Sequence, residues 1–108
     1  MGMSITFREL GDDKKDINNS EIFEIGASSV GYEFLNIIDE IPILIEYDKK
    51  AICDGFIEFI ISLVDLKKII NHVENKQIDE YDYLRLVEFL EFMLSKSKAM
   101  YFYVHGCN

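Results

Sequence analysis

Tryptophan is absent from this 108-residue chain, proline occurs once and cysteine twice. A single proline leaves no stiff, proline-rich linker on which the chain could divide, and the apolar fraction of 49% is too high for a disordered segment. One globular domain over residues 1–108 is the expectation, with a core of the size such a length supports. Cys53 and Cys107 are too few for a disulfide framework and are expected to be reduced thiols. No uninterrupted apolar run approaches the ~20 residues that a membrane-spanning helix requires. The longest candidate, "GFIEFIISLVDL", is cut by Glu58 and Asp65. No basic stretch leads into an apolar segment near the N-terminus, so no secretory signal is read and a cytoplasmic location is expected.

Chemical motifs are equally scarce. The six glycines form no phosphate-binding loop, and neither "GxSxG", "HExxH" nor a calcium-binding loop occurs. A nucleophilic pair of Cys53 and His72 fails if both lie on one helix, because nineteen residues at ~1.5 Å each separate them by nearly ~30 Å. His105 and Cys107 could supply two metal ligands from one side of a strand, short of the three or four that zinc takes. The chain is therefore expected to be non-catalytic and to hold neither metal nor cofactor.

What the sequence does contain is strong periodicity. "MSITFREL" alternates apolar and polar residues as a half-buried strand does, "GDDKKDINNS" is a polar loop, and "EIFEI" at 21–25 completes a hairpin that Gly26 should end. From Ser29 to Ile41, Val30, Phe34, Ile37, Ile38 and Ile41 fall on one helical face, and Pro42 stops the helix ahead of a strand "ILIEY". Residues 52–74 read as a long central helix, apolar over most of its circumference and bent near Asp65. A last helix from Glu80 to Ser97, capped by Asp79, should bury Leu84, Val87, Leu90 and Leu94. "AMYFYVHG" then closes the chain as a strand. The expected fold class is α+β: a small single domain with a mixed or antiparallel sheet of about four strands, packed with three helices including a largely buried central one.

Basic residues are the most telling shortage. Eleven Lys and Arg face 20 Asp and Glu, a net charge of −9. The imbalance is local: residues 1–48 hold eleven acids against Arg8, Lys14 and Lys15, and from Asp16 to Asp48 there are eight acids and no base. Such a surface repels nucleic acid and anionic membranes. Asp39 and Glu40 occupy the last turn of the helix before Pro42, where negative charge opposes the macrodipole by typically ~0.3–1 kcal/mol each. Local rules of this kind are broken most often where function requires it. A second acidic group, "IDEYDYLR", sets tyrosines among acids, the composition of a surface with aromatic anchors and a steering rim.

The residues expected to bind a partner are accordingly Glu33, Asp39, Glu40, Glu46 and Asp48 in the first group and Asp79, Glu80, Tyr81, Asp82 and Tyr83 in the second. The expected function is a bacterial or phage immunity or antitoxin-type inhibitor that neutralises a basic partner, such as a nuclease toxin, by 1:1 charge-complementary binding. The alternative is a protein-interaction or scaffold domain, homodimeric through the "MYFYVHG" strand at a sheet edge.

Overall fold

The computed structural model describes residues 2–41, 50–52, 56–75 and 80–107. Five strands and three helices follow in the order β1 Met3–Leu10, β2 Ile22–Ser28, α1 Ser29–Glu40, β3 Lys50–Ile52, β4 Phe56–Ser62, α2 Leu63–Asn75, α3 Tyr81–Lys96 and β5 Tyr101–Cys107. The sheet order is β2-β1-β5-β4-β3, and every pairing is antiparallel. Four long strands with a three-residue β3 at one edge, covered by helices, make this an α+β fold. Among the described residues no helix is long and apolar enough to cross a membrane.

The strand registers explain which side of the sheet carries the helices. Phe23, Phe7, Val104 and Phe59 form one row across the four long strands, and all four side chains are buried. The neighbouring row, Ile22, Arg8, Tyr103 and Ile60, points to the opposite face, where burial is partial or absent. Alternation in each strand therefore produces one apolar face and one polar-aromatic face. Phe34 of α1 meets the apolar face through ring contacts to Phe7 at 5.2 Å and Phe59 at 6.3 Å, and Phe89 of α3 reaches Phe7 at 5.7 Å. On the other face the Arg8 guanidinium lies 4.8 Å over the Tyr103 ring and pairs with Asp16 at 2.9 Å.

The long helix expected over 52–74 is not formed. Residues 56–62 are strand β4, inserted between β3 and β5, and the helix begins only at Leu63. A nearly continuous apolar run fits a buried strand as well as a buried helix, and the aromatic and β-branched content of "FIEFII" favours the strand. The bend expected near Asp65 is the helix start. The Ser62 hydroxyl accepts the Asp65 N–H at 3.1 Å and donates to the Asp65 carboxylate at 3.0 Å, a closed cap at the strand-to-helix junction. α2 is amphipathic rather than buried all round: Leu66, Ile69, Ile70 and Val73 face the core, while Val64 and Lys67 are exposed. Ser62→Ala should cost about 1 kcal/mol of unfolding free energy, measured by urea titration, because it removes the N-cap acceptor and one hydrogen bond to the buried Asp65 carboxylate, which keeps Lys68 at 3.7 Å.

Three further readings are corrected. β2 runs through Gly26 to Ser28, since a register shift between Met3 and Ile5 absorbs the extra residue and keeps the strand paired. α3 buries Leu86, Leu90 and Met93, while Leu84 is 51% exposed; Val87 and Leu94 flank the core. Apolar residues lie so widely around α3 that the centre of its buried stripe is not apparent from spacing. Finally, β5 is the central strand, hydrogen-bonded to β1 on one side and β4 on the other, so it offers no edge for pairing with a second copy. The expected strand "ILIEY" lies outside the described residues.

Candidate partner-binding site

The two acidic groups, well separated in sequence, meet where α1 packs on α3. Glu33 and Glu40 stand seven residues apart on α1 and therefore on one helical face. Tyr83, in the first turn of α3, donates its phenolic hydrogen to Glu33 and lies in the field of Glu33, Glu40 and Glu80. The hydrogen bond to Glu33, then desolvation, then these carboxylates push its pKa from 10.0 up to about 12. Removing a proton from Tyr83 would add a negative charge to a place that already holds three. This electrostatic signature ties residues of both predicted groups to one surface.

Their placement follows from helix geometry. Tyr83 is partly buried at the start of α3, so its ring packs against the core cluster while its hydroxyl reaches α1. Glu33 is half-buried beside it, whereas Glu40 and Asp39 are exposed at the C-terminal end of α1. No basic residue occupies that last turn. Some compensation comes from α2, where His72 Nε2 approaches Glu40 Oε1 at 3.7 Å, too long for a hydrogen bond. The spacing of residues along the chain gave His72 a place in the last turn of its helix but no hint of Glu40.

Glu80 is exposed immediately before α3, and Asp82 is half-buried in its first turn, where a carboxylate complements the dipole. Tyr81 is 68% exposed and its hydroxyl accepts a hydrogen bond from Arg85 Nη1 at 2.7 Å, with the guanidinium over the ring. An exposed aromatic held by arginine beside acids is the type of anchor interfaces favour. Glu46, Asp48 and Asp79 lie outside the described residues. The site thus assembled contains Glu33, Glu40, Glu80 and Tyr83, with Asp39, Tyr81 and Asp82 on the same helix ends.

Other chemical clusters are thinner. Cys53 is outside the described residues, and because 56–62 is a strand, no single helix runs from its position to His72. His105 and Cys107 do lie on one face of β5, beside Thr6, whose hydroxyl donates to the His105 carbonyl at 3.4 Å. Among the described residues no group of three or more His, Cys, Asp or Glu is placed to hold a metal ion. Tyr103 has its pKa raised by burial and by donating to Glu58, an arrangement that joins β5 to β4. Comparison with protein-family models, with curated proteins and with solved structures returns no match.

The Tyr83 arrangement has a measurable consequence. Its folded-state pKa is raised above the unfolded value of 10.0, so the stability it contributes is complete below pH 10 and disappears as pH rises through about 12. Tyrosinate absorbance during alkaline titration should show a late-ionising phenol that Tyr83→Phe removes. In Glu33→Gln the same phenol should ionise at lower pH, since the strongest cause of the shift is gone.

Proposed function

We propose that this protein is a non-catalytic inhibitor of the immunity or antitoxin type, which neutralises a basic partner such as a nuclease toxin by 1:1 charge-complementary binding. The observation that carries the reading is the convergence of Glu33, Glu40 and Glu80 around Tyr83, beside the exposed Tyr81. An enzyme that acts on nucleic acid presents cationic surface to phosphates, and a compact acidic protein can cover it. About 800 Å² per partner makes a standard interface, within reach of a domain of 108 residues. Carboxylates at the rim accelerate encounter and suppress wrong partners, while the tyrosines supply desolvated contact area.

Further support comes from what α1 forgoes. Two carboxylates at the negative end of a helix cost stability, and a surface kept only for solubility could carry its charge elsewhere at no such cost. The reading is tested by affinity capture from the native cell followed by sizing and mass analysis of the complex. It expects a strongly basic protein held in a 1:1 complex that dissociates as salt is raised. An acidic partner, or a complex indifferent to salt, would contradict it.

A further inference from the structure

The outer side of β2 is a second surface, which adjoins the α1–α3 seam at Val30, Arg85 and Phe89. β2 is an edge strand of the sheet, paired only with β1 among the described residues. The Glu9 N–H bonds to the Glu21 carbonyl at 3.3 Å, and Thr6↔Glu24 and Phe7↔Phe23 continue the same register. In an antiparallel ladder the hydrogen-bonded residues alternate, so Phe23 and Ile25 turn their backbone groups to β1. Ile22 and Glu24 therefore direct theirs outward. Beside this edge runs a groove of about 280 Å³ lined by β2 residues, Val30, Arg85 and Phe89, continued along α3 by a second of about 270 Å³ that shares Arg85 and Phe89.

Gly26 singles out this edge. A Cβ placed on it would meet no atom within 4 Å, and its φ is not in the left-handed region, so neither packing nor backbone conformation demands glycine there. Glycine inside a strand costs roughly 0.5–1 kcal/mol relative to alanine. Gly26 lies in the Ile25–Ser28 stretch where the register shifts, and a glycine at such a place also leaves room for another chain to come close.

We infer that the β2 edge and its groove bind an extended segment of a basic protein, added as a sixth strand that alternates apolar with Lys or Arg side chains. Its backbone would pair with Ile22 and Glu24, one set of side chains would enter the groove against Val30 and Phe89, and the other would face Glu24. Glu21 and Glu24 are both exposed, which sets the sign of the partner. Arg85 keeps its charge when it bonds the neutral Tyr81 hydroxyl, but Glu24 and Glu88 line the same two grooves and leave the acidic side in excess. The same acids argue against a second copy of this chain: antiparallel self-pairing about Glu24 would set like charges opposite or diagonal to one another, a destabilising arrangement.

The test uses the full chain and an acetylated, amidated nonapeptide alternating valine with lysine, followed by fluorescence anisotropy and amide hydrogen exchange. Binding should slow exchange at Ile22 and Glu24. Affinity should fall about tenfold or more for a valine–glutamate peptide, for the valine–lysine peptide N-methylated along one edge, and for Gly26→Leu at unchanged thermal midpoint. Protection elsewhere without protection of Ile22 and Glu24, or equal affinity for the N-methylated peptide, would overturn the proposal. Protection of those amides by self-association without peptide would overturn it in favour of a second copy. Should Gly26→Leu not fold, the N-methylated peptide decides alone.

Discussion

Phe34→Ala is expected to lose about 3–5 kcal/mol of unfolding free energy, a large share of the ~5–15 kcal/mol available to a domain of this kind. Phe34 is fully buried between β1 and β4, edge-on to Phe7 and nearly parallel to Phe59. Truncation would remove the contact by which α1 is fixed to two strands of the sheet. Two rings and a helix backbone cannot collapse far enough to refill the space, so the cavity term adds to the lost transfer energy. Urea unfolding should show the loss as a lower midpoint with little change in slope. Phe92→Ala, at a site 53% exposed on α3, should shift stability by no more than about 0.5 kcal/mol. A Phe34→Ala loss as small as that of Phe92→Ala would mean that the helical layer is not seated on the sheet as described.

Gly31→Ala should be destabilising by roughly 3 kcal/mol, against the rule for its kind of position. Alanine in a helix interior is ordinarily better than glycine by about 1 kcal/mol. Here the added Cβ would sit 2.1 Å from the Met3 carbonyl oxygen and 3.0 Å from its carbon, both backbone atoms of β1. α1 and β1 would have to separate, and the Phe7–Phe34 contact lies directly on that interface. Gly26→Ala provides the contrast: with nothing near its Cβ, it should leave stability unchanged or slightly improved. Thermal unfolding of the two alanine variants side by side should therefore show a lowered midpoint for Gly31→Ala and an unchanged or slightly raised one for Gly26→Ala, the difference set by what each Cβ meets.

Particular elements show why some of this structure was legible in the sequence. β1 and β5 alternate cleanly because one face of the sheet is covered and the other is not, and α1 shows a clear stripe because it has a single buried face. Where a segment is apolar on nearly every residue, period carries no information. That is the case for "FIEFIIS", whose strand identity depends on its being enclosed between β3 and β5. Strand order is likewise a property of the assembled sheet: nothing local in "MYFYVHG" distinguishes the centre from an edge. Within the candidate site, the acids and tyrosines themselves were found from charge and composition. Their convergence was not, because Glu33 meets Tyr83 only through the packing of α1 on α3, and His72 meets Glu40 only through the two helix ends. The groove beside β2 has no signal in the sequence beyond Gly26, a residue type that equally predicts the end of a strand.

The proposed function requires that the carboxylates gathered around Tyr83 and at the end of α1 face a basic partner. The most direct measurement is the affinity of the captured basic partner for the double variant Asp39→Lys/Glu40→Lys, taken across a salt series together with an unfolding curve for the variant alone. Lysines at the end of α1 agree with its dipole but give up the approach of Glu40 to His72, so the variant should fold to within about 1 kcal/mol of the parent while binding roughly a hundredfold more weakly at low salt, with a shallower salt dependence. Undiminished affinity and an unchanged salt slope in a folded variant would contradict the account.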